Sequence, residues 1–313
     1  NSPPFRMKFS RAMKPKSSDK EIKVDVTIKP LSPHFGAEIS GANVSAGGDN
    51  VALAVRQAWL DAGGLAVVRG QDLASDRHIV FAQHFGPLFG DPDEEPLQDT
   101  VSIYMHPDHP EIYRVSNQVE GDGKPTGRKG AGTYWHSDVS FRERPAGASI
   151  LSAKQIPPSG GDTIFCDQSR AYEALSDTMK AILAPLHAAH DFEVAAHSQY
   201  TSRVLVTDDL EGGTNRALHP IVRTHAETGR KSLFVNPGFT SHIQGFHRDE
   251  SLALLDFLYA HCMRPEFLYR HRWQEYDLVI WDNRCLMHYG VNDYEEGDTR
   301  VLHRTTGAPF EVR

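Results

Sequence analysis

The chain is poor in the residues that build covalent or membrane-spanning frameworks. Three cysteines occur in 313 residues, at Cys166, Cys262 and Cys285. An odd number without close pairs argues against a disulfide framework, and the absence of a CxxC pattern argues against a zinc–thiolate site. What remains is three partly buried free thiols in a reducing, cytoplasmic compartment. No apolar run approaches the ~20 residues of a membrane span. The first 21 residues are basic and carry proline and serine but no apolar stretch, so they read as a disordered tail and not as a secretory signal. Positive charge is also in deficit: 33 Lys and Arg against 41 Asp and Glu give a net charge of −8. That balance argues against nucleic acid or an anionic membrane surface as partner, while a small anion held by local arginines stays compatible with it. Internal repeats are absent.

What is present suits one globular domain over 22–313, with 39% hydrophobic and 24% charged residues. Helices are expected over Val51–Ala62, capped by Asn50, over Ser75–His84, Gln168–Leu175 and Asp177–Ala188, and over His247–Arg264. Strands are expected over Leu65–Val68, Ile112–Ser116, Ile150–Ile156, Thr163–Cys166, Ser232–Asn236, Phe267–Trp273, Leu278–Asp282 and Arg300–Thr306. The glycine-rich segment 120–132 has no periodicity and reads as a loop beside Trp135-His136. The polar stretch 199–216 reads as a lid. Many short strands, early helices and one late helix imply a mainly β fold with helical decoration, an antiparallel jelly roll.

The chemistry-bearing pattern is His136-Ser137-Asp138, with His288 far downstream. Two histidines and one carboxylate form the facial ligand set of a mononuclear non-haem iron site, which leaves coordination positions open. In a strand, residues i and i+2 project to one side, so a His-x-Asp pair on a strand can share a metal. Seventeen histidines make accidental His-x-Asp pairs expected, and His106-Pro107-Asp108 reads as a turn and a decoy. The setting of His136 differs, since Tyr134-Trp135 and Val139-Ser140-Phe141 flank it. Arg300 and Arg304, four apart on a strand, would share a face and could clamp a carboxylate or sulfonate.

WHSDVSF (135–141), SGGDTIF (159–165), LFVNPGFT (233–240), WDNRCLMHYGVNDY (281–294) and RVLHR (300–304) together resemble the Fe(II)- and 2-oxoglutarate-dependent taurine dioxygenase (TauD/TfdA) family. The resemblance implies a double-stranded β-helix of the cupin-like kind. It implies iron on His136, Asp138 and His288, with 2-oxoglutarate as co-substrate, O2 as oxidant, and Thr163 and Arg300 on the distal carboxylate of 2-oxoglutarate. It places Arg304 near an anionic substrate group, with Val139 and Phe239 lining the pocket, and no further side chain acting as a catalyst. It implies hydroxylation of a substrate C–H with release of succinate and CO2, and assembly with further copies of the chain. Two departures concern the substrate. The segment after Phe85-Gly86-Pro87-Leu88 is acidic through residues 91–95, without the histidine and tyrosine that grip a sulfonate in taurine dioxygenases. Gly132 stands where those enzymes have asparagine. PPSGGDTIFCD (157–167) and YRHRW (269–273) lean toward the aryloxyalkanoate branch; NPGFT, HYGVNDY and RVLHR lean toward the sulfonate branch. A taurine-like sulfonate is the first expectation, and an aryloxyalkanoate such as 2,4-dichlorophenoxyacetate, or an alkyl sulfate, the second. A metal-dependent hydrolase and a catalytically silent binding protein are the alternatives from other classes. The hydrolase has no need of the two arginines and Thr163, and no ligand has been lost as a silent protein would allow.

Overall fold

A computed structural model describes residues 26–89, 104–194 and 216–307. The 1–21 tail, the acidic 91–95 stretch and the lid segment up to residue 215 lie outside the described residues; Arg216 opens a strand. The strands are β1 (Thr27–Pro30), β2 (Ala37–Ser40), β3 (Leu65–Val68), β4 (Met105–His106), β5 (His109–Ser116), β6 (Ala148–Gln155), β7 (Thr163–Asp167), β8 (His187–Asp191), β9 (Arg216–Pro220), β10 (Val222–Thr224), β11 (Lys231–Leu233), β12 (Thr240–Ile243), β13 (Leu268–His271), β14 (Leu278–Asp282), β15 (Leu286–Gly290) and β16 (Val301–Thr306). The helices are α1 (Asp49–Asp61), α2 (Ser75–Ala82), α3 (Gln168–Glu173), α4 (Asp177–Leu183) and α5 (Arg248–Cys262).

An eight-stranded sheet, in the order β1-β2-β3-β14-β6-β16-β5-β4, faces a three-stranded sheet, β13-β7-β15. The period-2 alternation of side chains builds the layers. On β14, Val279 and Trp281 point between the sheets, while Leu278 and Ile280 point outward against Ala52, Val55, Trp59 and Phe81 of α1 and α2. On β6, Leu151 and Ala153 point inward and Ala148 and Ile150 outward. On the smaller sheet, Phe165 and Leu286 face inward, and Cys166 and Met287 face α3 and α5. The inner layer is where the site lies.

Three local expectations are corrected. The helix over 177–188 stops at Leu183, and His187–Asp191 is a strand paired with both β9 and β12. α1 starts from Gly48, with no side-chain cap, so Asn50 lies inside the helix. His136–Asp138 is not a strand: His136 makes a single bridge to His288, and Asp138 opens a turn.

Candidate active site

His288 arrives on β15 in the inward set with Leu286, and its register partner on β7 is Phe165. His136 is bound to it through both backbone groups, with N–H···O distances of 3.0 and 2.8 Å. Their ring centroids are 4.2 Å apart. Ser137 points away and donates to Leu286 O. His136 and Asp138 therefore keep a common side without a strand. The turn that follows puts Val139 at φ 44°, a costly conformation for a β-branched residue. Its neighbours hold it there. Asp138 N donates to Asn283 Oδ1, Asn236 donates to Ser140 Oγ, and His219 Nε2 donates to the carbonyls of Ser140 and Arg142.

The three ligating atoms of His136, Asp138 and His288 lie within 4.8 Å of one another, all buried. Asp138 Oδ1 is 3.5 Å from His136 Nε2, 4.0 Å from His288 Nε2 and 2.7 Å from Arg304. Its Oδ2 accepts from Ser149 at 2.6 Å. Burial alone would push its carboxyl up, but the Arg304 guanidinium beside it holds it well below the usual carboxylate range. Burial and neighbouring His136 lower His288 strongly, so it is neutral. His136 Nδ1 lies 2.8 Å from Tyr134 O, which can only accept, so Nδ1 carries the proton and Nε2 keeps its lone pair toward Asp138. Two imidazoles with inward nitrogens and one ionised carboxylate fit a divalent cation.

The cleft over this cluster has an empty volume of ≈ 540 Å³. Its apolar wall is Tyr113, Tyr134, Val139, Phe141, Phe192 and Phe239; its cations are Arg128 and Arg304. Arg304 also lies over Tyr113, 4.9 Å from the ring centroid. Gly132, at φ +72°, has no room for a side chain, because a Cβ there would lie 2.8 Å from His136 Cε1.

Arg300 lines a neighbouring cleft of ≈ 300 Å³, shared with Asn117, Arg128 and Tyr294. The expected common face of Arg300 and Arg304 is interrupted by a register shift between Val301 and Leu302, so the two arginines line adjacent clefts. Arg300 Nε donates to Gly161 O at 3.0 Å, two residues before Thr163. Burial lowers its guanidinium to about 10, against the pull of Tyr294 and Asp162. Thr163 is buried, and its Oγ1 accepts from Trp273 Nε1 at 3.0 Å, which leaves the hydroxyl proton to donate. His106-Pro107-Asp108 joins β4 to β5, where His106 Nδ1 takes the backbone N–H of Asp108. Sequence reasoning missed Ser149, Asn283, Tyr113, Arg128 and Phe192.

The family model for "Taurine catabolism dioxygenase TauD, TfdA family" matches residues 27–306. The chain belongs to the TauD/TfdA family. It is 36% identical over 298 residues to the α-ketoglutarate-dependent 2,4-dichlorophenoxyacetate dioxygenase of Cupriavidus pinatubonensis, covering 90% of this chain and 98% of that one. It is 32% identical to the α-ketoglutarate-dependent sulfonate dioxygenase of Saccharomyces cerevisiae, covering 89% of this chain and 66% of that one. Its fold superposes on the crystal structure of AAD-2 in complex with Mn(II) and N-oxalylglycine with a TM-score of 0.74 at 30% identity, covering 92% and 99% of the two chains. This TauD/TfdA chain is thus a jelly-roll, non-haem iron dioxygenase that uses Fe(II), 2-oxoglutarate and O2. No described helix is long and apolar enough to cross a membrane.

Proposed function

We propose that this enzyme hydroxylates a C–H of a small organic anion with an apolar body, with a sulfonate as the first choice of head group and an aryloxyalkanoate or alkyl sulfate as the second. The observation that carries this reading is the make-up of the cleft. Two guanidinium groups and five aromatic rings line it, and Asp138, the sole described carboxylate in the lining, is engaged with Arg304. An ammonium such as that of taurine finds no described acidic partner there, whereas an alkyl or aryl body gains from burial on the rings.

In this reading His136, Asp138 and His288 hold Fe(II), and Thr163 and Arg300 hold the distal carboxylate of 2-oxoglutarate through a neutral and a charge-assisted hydrogen bond. Arg304 attracts the substrate anion, and Val139 and Phe239 pack on its body. Bound iron with 2-oxoglutarate and O2 supplies the oxidising power, with succinate and CO2 as by-products. The residues around it position the substrate and exclude water: Phe239 stacks edge-on against both His136 and Phe141. The three cysteines are buried free thiols, in keeping with a cytoplasmic setting.

The test is succinate formation from 2-oxoglutarate with Fe(II) and O2, using hexanesulfonate, hexyl sulfate, 2,4-dichlorophenoxyacetate, taurine and a cationic control, hexylamine. Stimulation by the apolar anions above taurine and hexylamine is the expected result. Stimulation by taurine or hexylamine above the apolar anions would reject the proposed substrate.

A further inference from the structure

We propose that Arg128, in the glycine-rich loop before the ligand motif, is a second substrate-anion residue that tunes the cleft toward three-oxygen head groups, sulfonates and sulfate esters. This rests on the reading of the cleft as an anion site. Arg304 is only partly available to a substrate, because one terminal nitrogen is committed to Asp138 Oδ1 at 2.7 Å. Arg128 differs. It lines the same cleft, and no described carboxylate lies within 4.0 Å of it. Its described side-chain partner is the neutral Tyr113 hydroxyl. The ring of Tyr113 lies under Arg304, so the phenol stands between the two guanidiniums.

The loop is built to hold Arg128 in place. Gly127 presses on β5, where an added Cβ would lie 2.6 Å from Arg114 O and 2.8 Å from Ser116 Cβ. Arg128 N then donates to Arg114 O at 3.0 Å. Downstream, Gly290 N donates to Gly132 O at 2.8 Å, and Gly132 packs on the His136 ring. Both ends of the segment are therefore docked, one on a strand of the large sheet and one on the ligand cluster. A guanidinium held this way can meet an oxyanion through two parallel N–H groups. Three terminal oxygens on a sulfonate or sulfate can serve Arg128, Arg304 and the Tyr113 hydroxyl together. A carboxylate has two oxygens in one plane, so it cannot turn a separate oxygen to each of three donors that surround it, and the shared bonds are less well aligned.

The experiment compares wild type, Arg128→Gln and Arg128→Lys, each loaded with Fe(II) and 2-oxoglutarate under anaerobic conditions. Binding of hexanesulfonate, hexyl sulfate and phenoxyacetate is measured by calorimetry, and KM and kcat are measured in air. In Arg128→Gln, Kd and KM for the sulfonate and the sulfate should rise about tenfold or more, those for phenoxyacetate about threefold or less, and kcat should stay within about twofold. Arg128→Lys should recover part of the loss. The sulfonate and sulfate arms show which source of the shared head group is preferred. The melting temperature should not move, since Arg128 is half-exposed. Unchanged sulfonate and sulfate binding in Arg128→Gln overturns this inference alone. A matching loss of 2-oxoglutarate affinity overturns it in favour of a co-substrate role, because Arg128 also borders the Arg300 cleft. Failure of wild type to bind any of the three anions removes the reading of the cleft, and this inference with it.

Discussion

Two buried clusters in this molecule have the ingredients of a metal site. Each has three ligating atoms within 4.8 Å of one another: His136, Asp138 and His288 in one, His225, Asp282 and Cys285 in the other. Their hydrogen bonds separate them. In the second cluster the backbone N–H groups of Glu227 and Thr228 donate to His225 Nδ1, so its Nε2 carries the proton and gives it to Asp282 Oδ2 at 2.9 Å. Arg284 occupies both oxygens of Asp282, at 2.8 and 2.7 Å. Burial and the nearby Asp282 charge push the Cys285 thiol well above its ordinary range, and a neutral thiol is a poor ligand. Every lone pair that a cation would need is spent. In the first cluster His136 is turned the other way by Tyr134 O, and its Nε2 stays available. Residue type makes both clusters candidates; unspent lone pairs make the first the better one.

Exchange of one carboxylate in each cluster gives the largest contrast. Asp138→Ala should abolish substrate-dependent succinate formation and lower metal affinity by more than about 100-fold, beyond what loss of an outer hydrogen-bond partner costs. Metal titration and coupled turnover of the folded variant check this. Full turnover in that variant would remove the iron assignment. Asp282→Ala should act on stability instead. It strips the buried Arg284 of its nearest counter-charge, and breaking such a pair costs about 3–5 kcal/mol. Chemical denaturation should show this loss, with metal bound per folded protein unchanged. Loss of metal from the folded Asp282→Ala protein would erase the distinction between the clusters.

The first cluster was legible because its signal is local and its flanks are unusual: a His-x-Asp between aromatic and β-branched residues, and a second histidine after WDNR. β14 was legible as a strand from the short apolar run LVIWD, but not which residue faces which layer, because all five are buried. The failures have physical causes. The residues of β8, HAAHD, include no β-branched residue and two alanines, so local propensity gives no strand signal; pairing on both edges supplies it. The shared face of Arg300 and Arg304 was lost to a bulge that no residue announces. Ser149 reaches Asp138 only because β6 lies between β14 and β16, with Ser149 opposite Trp281 and Thr306. No spacing in the chain encodes that register. The roles proposed for Thr163 and Arg300 come from the resemblance to the family, since spacing alone left them open.

Acid should expose a third set of groups, behind the active cluster. Burial lowers His219 to about 4 and His78 to about 3, so both stay neutral when folded. The unfolded chain takes up these protons from about pH 6.5 downward while the folded chain does not. Each histidine therefore contributes stability that is intact above pH 6.5 and is lost between there and its folded value, roughly 3 kcal/mol for His219. Asp167 works in the opposite direction. Burial raises it to about 6, so its penalty at neutral pH is relieved as the pH falls toward 4. The denaturation midpoint of the metal-free protein should fall between pH 7 and 4.5, and His219→Gln should flatten that slope. An unaltered slope in the variant would show that His219 protonates freely in the folded state.

The smallest effect tests how finely the first cluster is held. Ser149 Oγ donates to Asp138 Oδ2 at 2.6 Å and accepts from Asn283 Nδ2 at 2.9 Å, while Asn283 Oδ1 takes the backbone N–H of Asp138. The carboxylate is thus steered from the strand side by one hydroxyl and anchored at its own backbone by the same asparagine. Removing the hydroxyl leaves Arg304 on Oδ1 and one Asn283 amide N–H on Gly147 O, while the other Asn283 N–H loses its acceptor, a stability cost of about 1–3 kcal/mol. Ser149→Ala should therefore lower metal affinity by about tenfold, the low end for an outer hydrogen-bond partner, with kcat at saturating metal nearly preserved. A metal titration followed by turnover in excess Fe(II) separates the two quantities. A fall in kcat that excess metal does not restore would mean that Ser149 orients the carboxylate for the reaction itself, beyond its part in retaining the ion.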